Sequence, residues 1–307
     1  MKKEILFTTA LFDINRTNWK LYNRSNNSYI EFFKTWAGID NQLVAYCNSK
    51  EIADEVLRIR TDLGRKEKTK VIVVNPFELY PDLYKRTQEV TDNKIQQAFH
   101  VRRDSPESKN AKYVYIMFLK AWCLDNSAKL FPNFETSCWI DFGFGKGNEI
   151  FTTPKDFNFT YTTEELDSIY FQPLKPINYE IPIFDLVRTG DTFTCGAFYL
   201  GPNKYWSLFL SETKKYYESL LNCGLVDDDQ LLQLMFILQH SDKAKLLSGC
   251  NYYDGFCSLS GQSFNFVKSE KQQSKYSKLV YKINSIRQTI SYSFRTFNYL
   301  IKQNTKQ

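Results

Sequence analysis

The sequence predicts an α/β protein with a mostly parallel sheet that helices cover on both faces. Short apolar runs rich in strand-forming residues alternate with segments of helical spacing along the first half of the chain, which is typical of this class. The length of 307 residues suits one large α/β domain or two small ones. A hydrophobic fraction of 43% with 24% charged residues is typical of soluble globular proteins and excludes disordered, collagen-like and coiled-coil chains.

Strand and helix signals follow one another from the N-terminus. Strands are predicted over residues 4–11, 43–47, 70–75, 137–142 and 192–200. Helices are predicted over residues 29–37, 49–63, 112–130 and 227–239. The Pro-, Tyr- and Thr-rich residues 154–191 predict loops and edge strands, and residues 248–266 predict irregular or β-rich structure. Because the sequence shows no linker or repeat, we predict one domain over residues 1–267 and a tail over 268–307.

The tail carries the basicity of the chain. Residues 268–307 contain nine basic residues and one acidic residue, a balance of +8, so the rest of the chain sums to −2 of the total +6. Apolar residues at helical spacing predict one apolar face: Leu279, Ile283, Ile286, Ile290, Phe294, Phe297 and Ile301. We favour docking of this face on the core of the protein. The alternative is in-plane contact with an anionic membrane surface.

The cysteine pattern and the start of the chain predict a cytoplasmic protein. Seven cysteines without a CxxC pair make a poor disulfide framework and a poor zinc site. No apolar run reaches the length of a membrane span, and the first residues lack the apolar block of a signal peptide. We therefore expect reduced thiols and a cytoplasmic location, peripheral at the inner face of the membrane if the tail binds lipid.

The most informative string is CWIDFGFGKG, at residues 138–147. Asp141 ends an apolar strand, and glycines follow it, beginning with Gly143. A carboxylate at this place can hold a divalent cation, and glycines let a phosphate or sugar approach the backbone. The alternative is a turn in which the aspartate caps its own backbone. The aromatic neighbours Trp139 and Phe142 favour the functional interpretation.

A protein-kinase interpretation of Asp141-Phe142-Gly143 is excluded. The first 140 residues contain only Gly38 and Gly64, so they hold no glycine-rich ATP loop.

The end of the first predicted strand is a second candidate region. Its candidate residues are Thr8, Thr9, Ala10, Asp13 and Arg16. In a parallel sheet the end of the first strand commonly meets a nucleotide. Arg16 is suited to pair with phosphate, and Asp13 is suited to orient it or to accept from a base or ribose. A Rossmann fingerprint and a Walker loop are both absent from the sequence.

Two further strings complete the candidate set. Asp227 and Gln230 make a capping-box-like pair, but three consecutive aspartates exceed what a cap requires. Asp228 or Asp229 is therefore a candidate general base for an acceptor hydroxyl.

Small residues alternate with aromatic ones along residues 196–206, and this pattern suits an apolar platform for a sugar ring. Its members are Gly196, Phe198 and Trp206. Because aromatics make up 16% of the chain, such clusters also arise by chance.

These strings, in this order, resemble the HtrL/YibB family of bacterial proteins, which look like glycosyltransferases of the GT-A fold. The matched pieces are residues 7–16, 117–120, 139–143, 196–206 and 228–230. The resemblance implies a GT-A-like domain that transfers sugar from a UDP- or other nucleotide-linked donor to a glycan or glycolipid. Lipopolysaccharide, lipooligosaccharide and capsule are the acceptors that it suggests.

The resemblance also implies roles for individual residues. GT-A enzymes usually hold the donor diphosphate through Mn²⁺ or Mg²⁺ bound by Asp-x-Asp, and here Gly143 replaces the second carboxylate. Asp141 is then the implied metal ligand, with His240 as a candidate further ligand. Arg16 and Lys120 are the basic candidates beside the diphosphate. In an inverting reaction, Asp229 or Asp228 would deprotonate the acceptor hydroxyl.

Two rival functions are compatible with the same residues. A non-catalytic nucleotide-sugar or glycan-binding protein of the same fold is motivated by the missing second carboxylate. Nucleic-acid binding through the tail is disfavoured, because a nucleic-acid footprint needs a basic face and the body of the chain is nearly neutral.

Overall fold

The computed structural model describes residues 2–145, 157–261 and 275–304. The predicted glycine-rich stretch beyond Gly145, the end of the segment predicted as β-rich, and both ends of the predicted tail lie outside the described residues.

Within the described residues, seven strands form the main sheet in the order β4-β3-β2-β5-β8-β7-β9. They are β2 (Leu6–Leu11), β3 (Leu43–Cys47), β4 (Thr69–Val73), β5 (Thr136–Ile140), β7 (Ile169–Pro173), β8 (Thr194–Pro202) and β9 (Ala244–Leu246). A separate pair joins β1 (Lys3–Glu4) to β6 (Thr162–Thr163). β8 runs antiparallel to both of its neighbours, and the other pairings in the main sheet are parallel. The predicted α/β class is confirmed, and the main sheet is mixed, with four parallel and two antiparallel pairings among the described residues.

Helices cover both faces of this sheet. They are α1 (Asn26–Trp36), α2 (Lys50–Asp62), α3 (Pro81–Thr91), α4 (Lys94–Phe99), α5 (Pro106–Lys109), α6 (Ala111–Leu130), α7 (Ile183–Thr189), α8 (Trp206–Asn222), α9 (Asp229–Gln239), α10 (Asp254–Ser260) and α11 (Lys275–Asn304). Helices α3, α6, α8 and α9 share one hydrophobic core with one face of the sheet. Helices α1, α2 and α10 share a second core with the other face.

The central helix α6 lies in the interior of the protein. It begins after Asn110, whose side chain accepts a hydrogen bond from the Tyr113 backbone N–H, as an N-cap does. Most of its residues are buried, including Val114 and Leu124 at 0% exposure. A helix that is apolar on most sides belongs to the interior of a domain. Any charged group that it carries at the end of the sheet is therefore held rigidly.

Two predicted segments differ from the structure. β7 lies between β8 and β9 and is not an edge strand. The segment predicted as irregular or β-rich contains the helix α10. Gly and Ser in α10 are weak helix formers, so local propensity did not indicate it. Phe256 anchors this helix in the second core at 1% exposure, so tertiary packing stabilises it.

The tail forms the predicted helix, but its apolar face is not buried. Ile283, Phe294 and Phe297 are 45%, 65% and 60% exposed, and the same holds for Ile286, Ile290 and Ile301. The favoured docking of these side chains on the core is therefore wrong. No helix in the described ranges is both long enough and apolar enough to cross a bilayer.

Candidate active site

A cavity of about 320 Å³ opens where β2 and β5 end. Its walls come from the loop after β2, the start of α1, one side of α6 and the segment that follows β5. Ligands in parallel sheets bind outside the carboxyl ends of the strands. The cavity therefore lies where the order of the elements predicts a site.

Three charged side chains meet at this cavity, two of which, Lys120 and Asp141, line it. The Lys120 Nζ lies 3.0 Å from the Asp141 Oδ1 and 3.0 Å from the Asp229 Oδ2. It also donates to the Gly196 carbonyl at 3.0 Å. The side chains of Lys120 and Asp229 are 5% and 8% exposed, whereas that of Asp141 is 34% exposed. We call Lys120, Asp141 and Asp229 the charged cluster.

Local contacts position the two carboxylates of the charged cluster. Asp141 follows β5 directly, and its N–H donates to the Ala197 carbonyl at 2.9 Å, so the carboxyl group is held where the strand ends. The indole Nε1 of Trp139 donates to the Asp141 Oδ1 at 2.7 Å. A Cβ at Gly196 would lie 2.5 Å from the Asp229 Oδ2, so only glycine lets the helix and the strand approach this closely.

The charges in the cluster support one another. Burial acts to lower the pKa of Lys120, but the carboxylates of Asp141 and Asp229 outweigh it and raise the pKa above its usual value. The ammonium therefore stays protonated. Burial raises the pKa of Asp229 to about 6, against the opposing effect of the Lys120 charge.

Two arginines line the same cavity. The Arg16 Nη1 donates to the Tyr29 hydroxyl at 2.7 Å, and its guanidinium lies 5.2 Å and 5.5 Å from the rings of Trp19 and Tyr113. Arg24 lies 5.2 Å from the ring of Tyr29. Neither guanidinium has a carboxylate within salt-bridge distance among the described residues. They are therefore positioned to pair with an anionic ligand.

A second cavity of about 250 Å³ adjoins the first. Tyr22 and Glu107 line both cavities, and Asp227 and Asp228 line the second. Tyr22 has φ 59°, a left-handed conformation that is uncommon for a bulky residue and is often found at functional sites. His100, which also lines this cavity, has its pKa lowered to about 4 by burial and is neutral.

The aspartates that precede α9 are all buried. The Asp228 side chain caps α9 by accepting from the Gln230 N–H, and Asp227 accepts from the Asp228 N–H. Burial, reinforced by the neighbouring Asp229, raises the pKa of Asp228 well above its ordinary range. Burial raises the pKa of Asp227 to about 8, although its hydrogen bond opposes this.

Asp227→Asn is expected to stabilise the protein increasingly as the pH rises. Because the folded-state pKa of Asp227 lies above the unfolded value, the wild type loses stability as the pH rises toward about 8, whereas asparagine cannot ionise. Thermal unfolding at about pH 5 and about pH 9 measures the difference, which should be larger at the higher pH. Asp62→Asn is the control, because the Asp62 side chain is 62% exposed on α2. Equal effects of the two substitutions at both pH values would contradict the prediction.

The structure brings some predicted residues together and places others elsewhere. Ala10, Arg16, Lys120, Asp141 and Gly143 line the first cavity.

Three other residues that were predicted at the first strand do not line this cavity. Thr8 and Thr9 are 0% exposed within β2. Asp13 organises the loop instead, since it accepts from the Asn26 side chain and from the Asn15 N–H.

The predicted platform for a sugar ring is wrong. Phe198 and Trp206 are 1% and 0% exposed, and their rings pack in the two cores against residues such as Phe256 and Phe209. Gly196 does belong to the site, but through its backbone, which contacts Lys120 and Asp229.

His240 is remote from the charged cluster. It lies at the C-terminal end of α9, whereas Asp229 lies at the N-terminal end, about 16 Å away at 1.5 Å per residue. The His240 Nε2 lies 3.7 Å from the Glu212 Oε2, and the ring stacks on Phe236. The implied role of His240 as a metal ligand beside Asp141 is therefore wrong.

The described side chains do not fit a divalent cation. Nowhere in residues 2–145, 157–261 and 275–304 do three His, Cys, Asp or Glu side chains lie together as a metal site requires. The Lys120 ammonium occupies the position between Asp141 and Asp229, where its charge would repel Mn²⁺ or Mg²⁺. Metal dependence stays a prediction that measurements with and without metal can test.

Sequence reasoning missed several residues of the site. Arg24, Tyr113 and Glu107 line the first cavity, and none was singled out. Arg24 belongs to the loop after β2, and loops after parallel strands commonly carry ligand-binding residues. Every basic residue of that loop was therefore a candidate. Tyr113 and Glu107 lie near the start of α6, which no local pattern connects with the end of β2.

The fold and the site define an α/β protein with a cavity lined by charged side chains at the carboxyl edge of its sheet. A family model described as "Bacterial protein of unknown function (HtrL_YibB)" matches residues 3–260. The chain therefore belongs to the HtrL/YibB family, and the resemblance seen in the sequence is confirmed. No curated protein matches this sequence.

Among solved structures, one titled PaToxG Glycosyltransferase is similar over 76% of this chain and 69% of its own, with 11% identity and a TM-score of 0.29. That similarity is too distant to bear on activity.

Proposed function

We propose that this protein is a glycosyltransferase that moves a sugar from a nucleotide-linked donor to a glycan or glycolipid acceptor. The observation that carries the proposal is the charged cluster, whose Lys120 and Asp141 line the first cavity together with two arginines. Cations suited to a diphosphate and carboxylates suited to sugar hydroxyls occur there within one cavity. UDP-sugars are the first donors to test.

The donor diphosphate is assigned to Arg16 and Arg24. Guanidinium groups form paired hydrogen bonds with phosphate oxygens, and both of these arginines contact aromatic rings in the cavity wall. As the bond between sugar and phosphate breaks, negative charge develops on the leaving diphosphate. Fixed cations stabilise that charge without reorganising during the reaction.

The sugar of the donor is assigned to the floor of the cavity. The carboxylate of Asp141 is partly exposed there and accepts from Trp139 and Lys120, which fixes its direction. It is suited to accept hydrogen bonds from sugar hydroxyls. Asp229 accepts a hydrogen bond from the Lys120 ammonium and does not line the first cavity, so we assign it a positioning role.

The acceptor is assigned to the second cavity. Asp228 lines that cavity, and because its pKa is raised, its ionised carboxylate is a stronger proton acceptor than that of an exposed aspartate. In an inverting reaction, Asp228 would take the proton of the attacking hydroxyl. The cavities adjoin at Tyr22 and Glu107, so an acceptor there can approach a sugar bound in the first cavity.

The donor assignment predicts that Arg16→Gln and Arg24→Gln each weaken nucleotide binding by about 10- to 100-fold, the usual worth of hydrogen bonds to a charged group. A thermal-shift screen of nucleotide sugars first identifies the best donor. Calorimetry with UDP, with and without Mn²⁺, then measures the change in nucleotide affinity. Arg58→Gln is the matched control, because Arg58 lies on α2 outside both cavities. Nucleotide affinity that is equal in all four proteins would contradict the donor assignment.

A binding protein of the same fold is the second candidate function. It is favoured by Lys120, which already neutralises one of the two carboxylates of the site. Both candidates predict nucleotide binding, but only the enzyme predicts release of the nucleoside diphosphate from a nucleotide sugar in the presence of an acceptor. A coupled assay for that product separates them.

A further inference from the structure

The helix α11 exposes a continuous apolar face. Six of its side chains are between 44% and 65% exposed: Ile283, Ile286, Ile290, Phe294, Phe297 and Ile301. They fall three or four residues apart, so they lie on one side of the helix. We call these six residues the apolar stripe. A contiguous apolar surface of this kind marks an interaction site in a soluble protein.

The opposite side of α11 is held against the body of the protein. The Arg295 Nη2 donates to the His100 carbonyl at 3.0 Å, and the Arg188 guanidinium lies 5.6 Å from the ring of Tyr292. At about 100° per residue, Tyr292 and Arg295 point well away from the apolar stripe. The helix is therefore oriented so that the stripe faces outward.

Basic residues accompany the apolar stripe. Helix positions 275, 282 and 287 carry Lys, Lys and Arg, and at about 100° per residue these positions flank the stripe. Residues 268–307 sum to +8, whereas the rest of the chain sums to −2. An apolar face bordered by basic residues is the pattern of helices that lie in the interface of an anionic membrane.

We propose that α11 lies in the plane of an anionic lipid surface, with the apolar stripe inserted between the headgroups. An anionic lipid surface fits both the apolar stripe and the basic residues that flank it. A second copy of α11 would bring like charges together, and a nucleic acid would leave the apolar stripe in water. Because His100 also lines the second cavity, lipid binding brings that cavity close to the membrane surface.

Sedimentation of the full chain with lipid vesicles tests this inference. Vesicles of equal parts phosphatidylcholine and phosphatidylglycerol should bind the protein, and vesicles of phosphatidylcholine alone should bind it weakly. The triple variant Ile290→Ser/Phe294→Ser/Phe297→Ser should lose about 100-fold or more in affinity for the mixed vesicles. The double variant Lys282→Gln/Arg287→Gln should lose about fivefold in affinity for the mixed vesicles for each charge removed. Added salt should weaken the binding of the wild type to these vesicles.

Tyr179→Ser is the matched control, because Tyr179 is 68% exposed and lies outside α11. It should bind vesicles as the wild type does. The triple variant should unfold at the wild-type temperature, since it alters exposed side chains. The proposal is overturned if the wild type does not bind the mixed vesicles, or if the triple variant binds them as well as the wild type does. It is also overturned if the wild type does not sediment with lipid and the triple substitution instead abolishes its RNA binding or its self-association.

Discussion

Asp141→Asn is expected to lower the rate of sugar transfer by about 100- to 1,000-fold, a loss typical of removing one fixed electrostatic group from an active site. Asparagine has nearly the same shape, and its side-chain oxygen can still accept from the Trp139 indole. Only the charge is lost. The variant should therefore fold normally while the site loses the partly exposed carboxylate to which we assign the sugar of the donor.

Asp40→Asn is a close control for this experiment. The Asp40 side chain is 33% exposed, against 34% for Asp141, and it also pairs with a lysine, at 3.1 Å from the Lys68 Nζ. It lies outside both cavities. Transfer assays and thermal unfolding of both variants separate lost chemistry from lost structure. A fully active Asp141→Asn protein would remove Asp141 from the proposed mechanism.

The strands were predictable because their local sequence is consistent with their final environment. The run of five fully buried residues in β3 is apolar throughout, so composition alone indicates a strand in the middle of a sheet. α10 illustrates the opposite case, since its short and glycine-containing sequence becomes helical only against the second core. The helix α11 was predicted from its spacing. Spacing shows which residues share a face, but not what that face contacts.

The site was predictable only in part, for the same reason. Asp141 was found because an isolated carboxylate at the end of an apolar strand is a local pattern. The ion pair between Lys120 and Asp229 joins residues that lie 109 positions apart along the chain, so it depends on how α6 and α9 pack. Phe198 was misplaced because a strand covered on both faces buries aromatic residues in either direction. Trp206 was misplaced because it begins α8 and packs in the first core.

Lys120→Met is expected to destabilise the protein by about 3–5 kcal/mol, the usual cost of removing one partner of a buried ion pair. Methionine fills a similar volume, so the loss reflects charge more than packing. Without the ammonium, Asp229 is left buried at 8% exposure beside Asp141, and Gly196 loses the donor to its carbonyl. Urea unfolding near neutral pH measures the change in the free energy of unfolding.

Two further variants make this prediction specific. Lys129→Met removes a lysine from the same helix, but the Lys129 side chain is 65% exposed and its ion pair with Asp125 should contribute about 1 kcal/mol or less. The double variant Lys120→Met/Asp229→Asn removes the stranded charge and should regain much of the lost stability. Both the single and the double variant should be inactive in sugar transfer, because the Lys120 ammonium that lines the cavity is missing from each. If Lys120→Met costs no more than Lys129→Met, or if the double variant is no more stable than the single one, Lys120 does not hold the two carboxylates together as the geometry indicates.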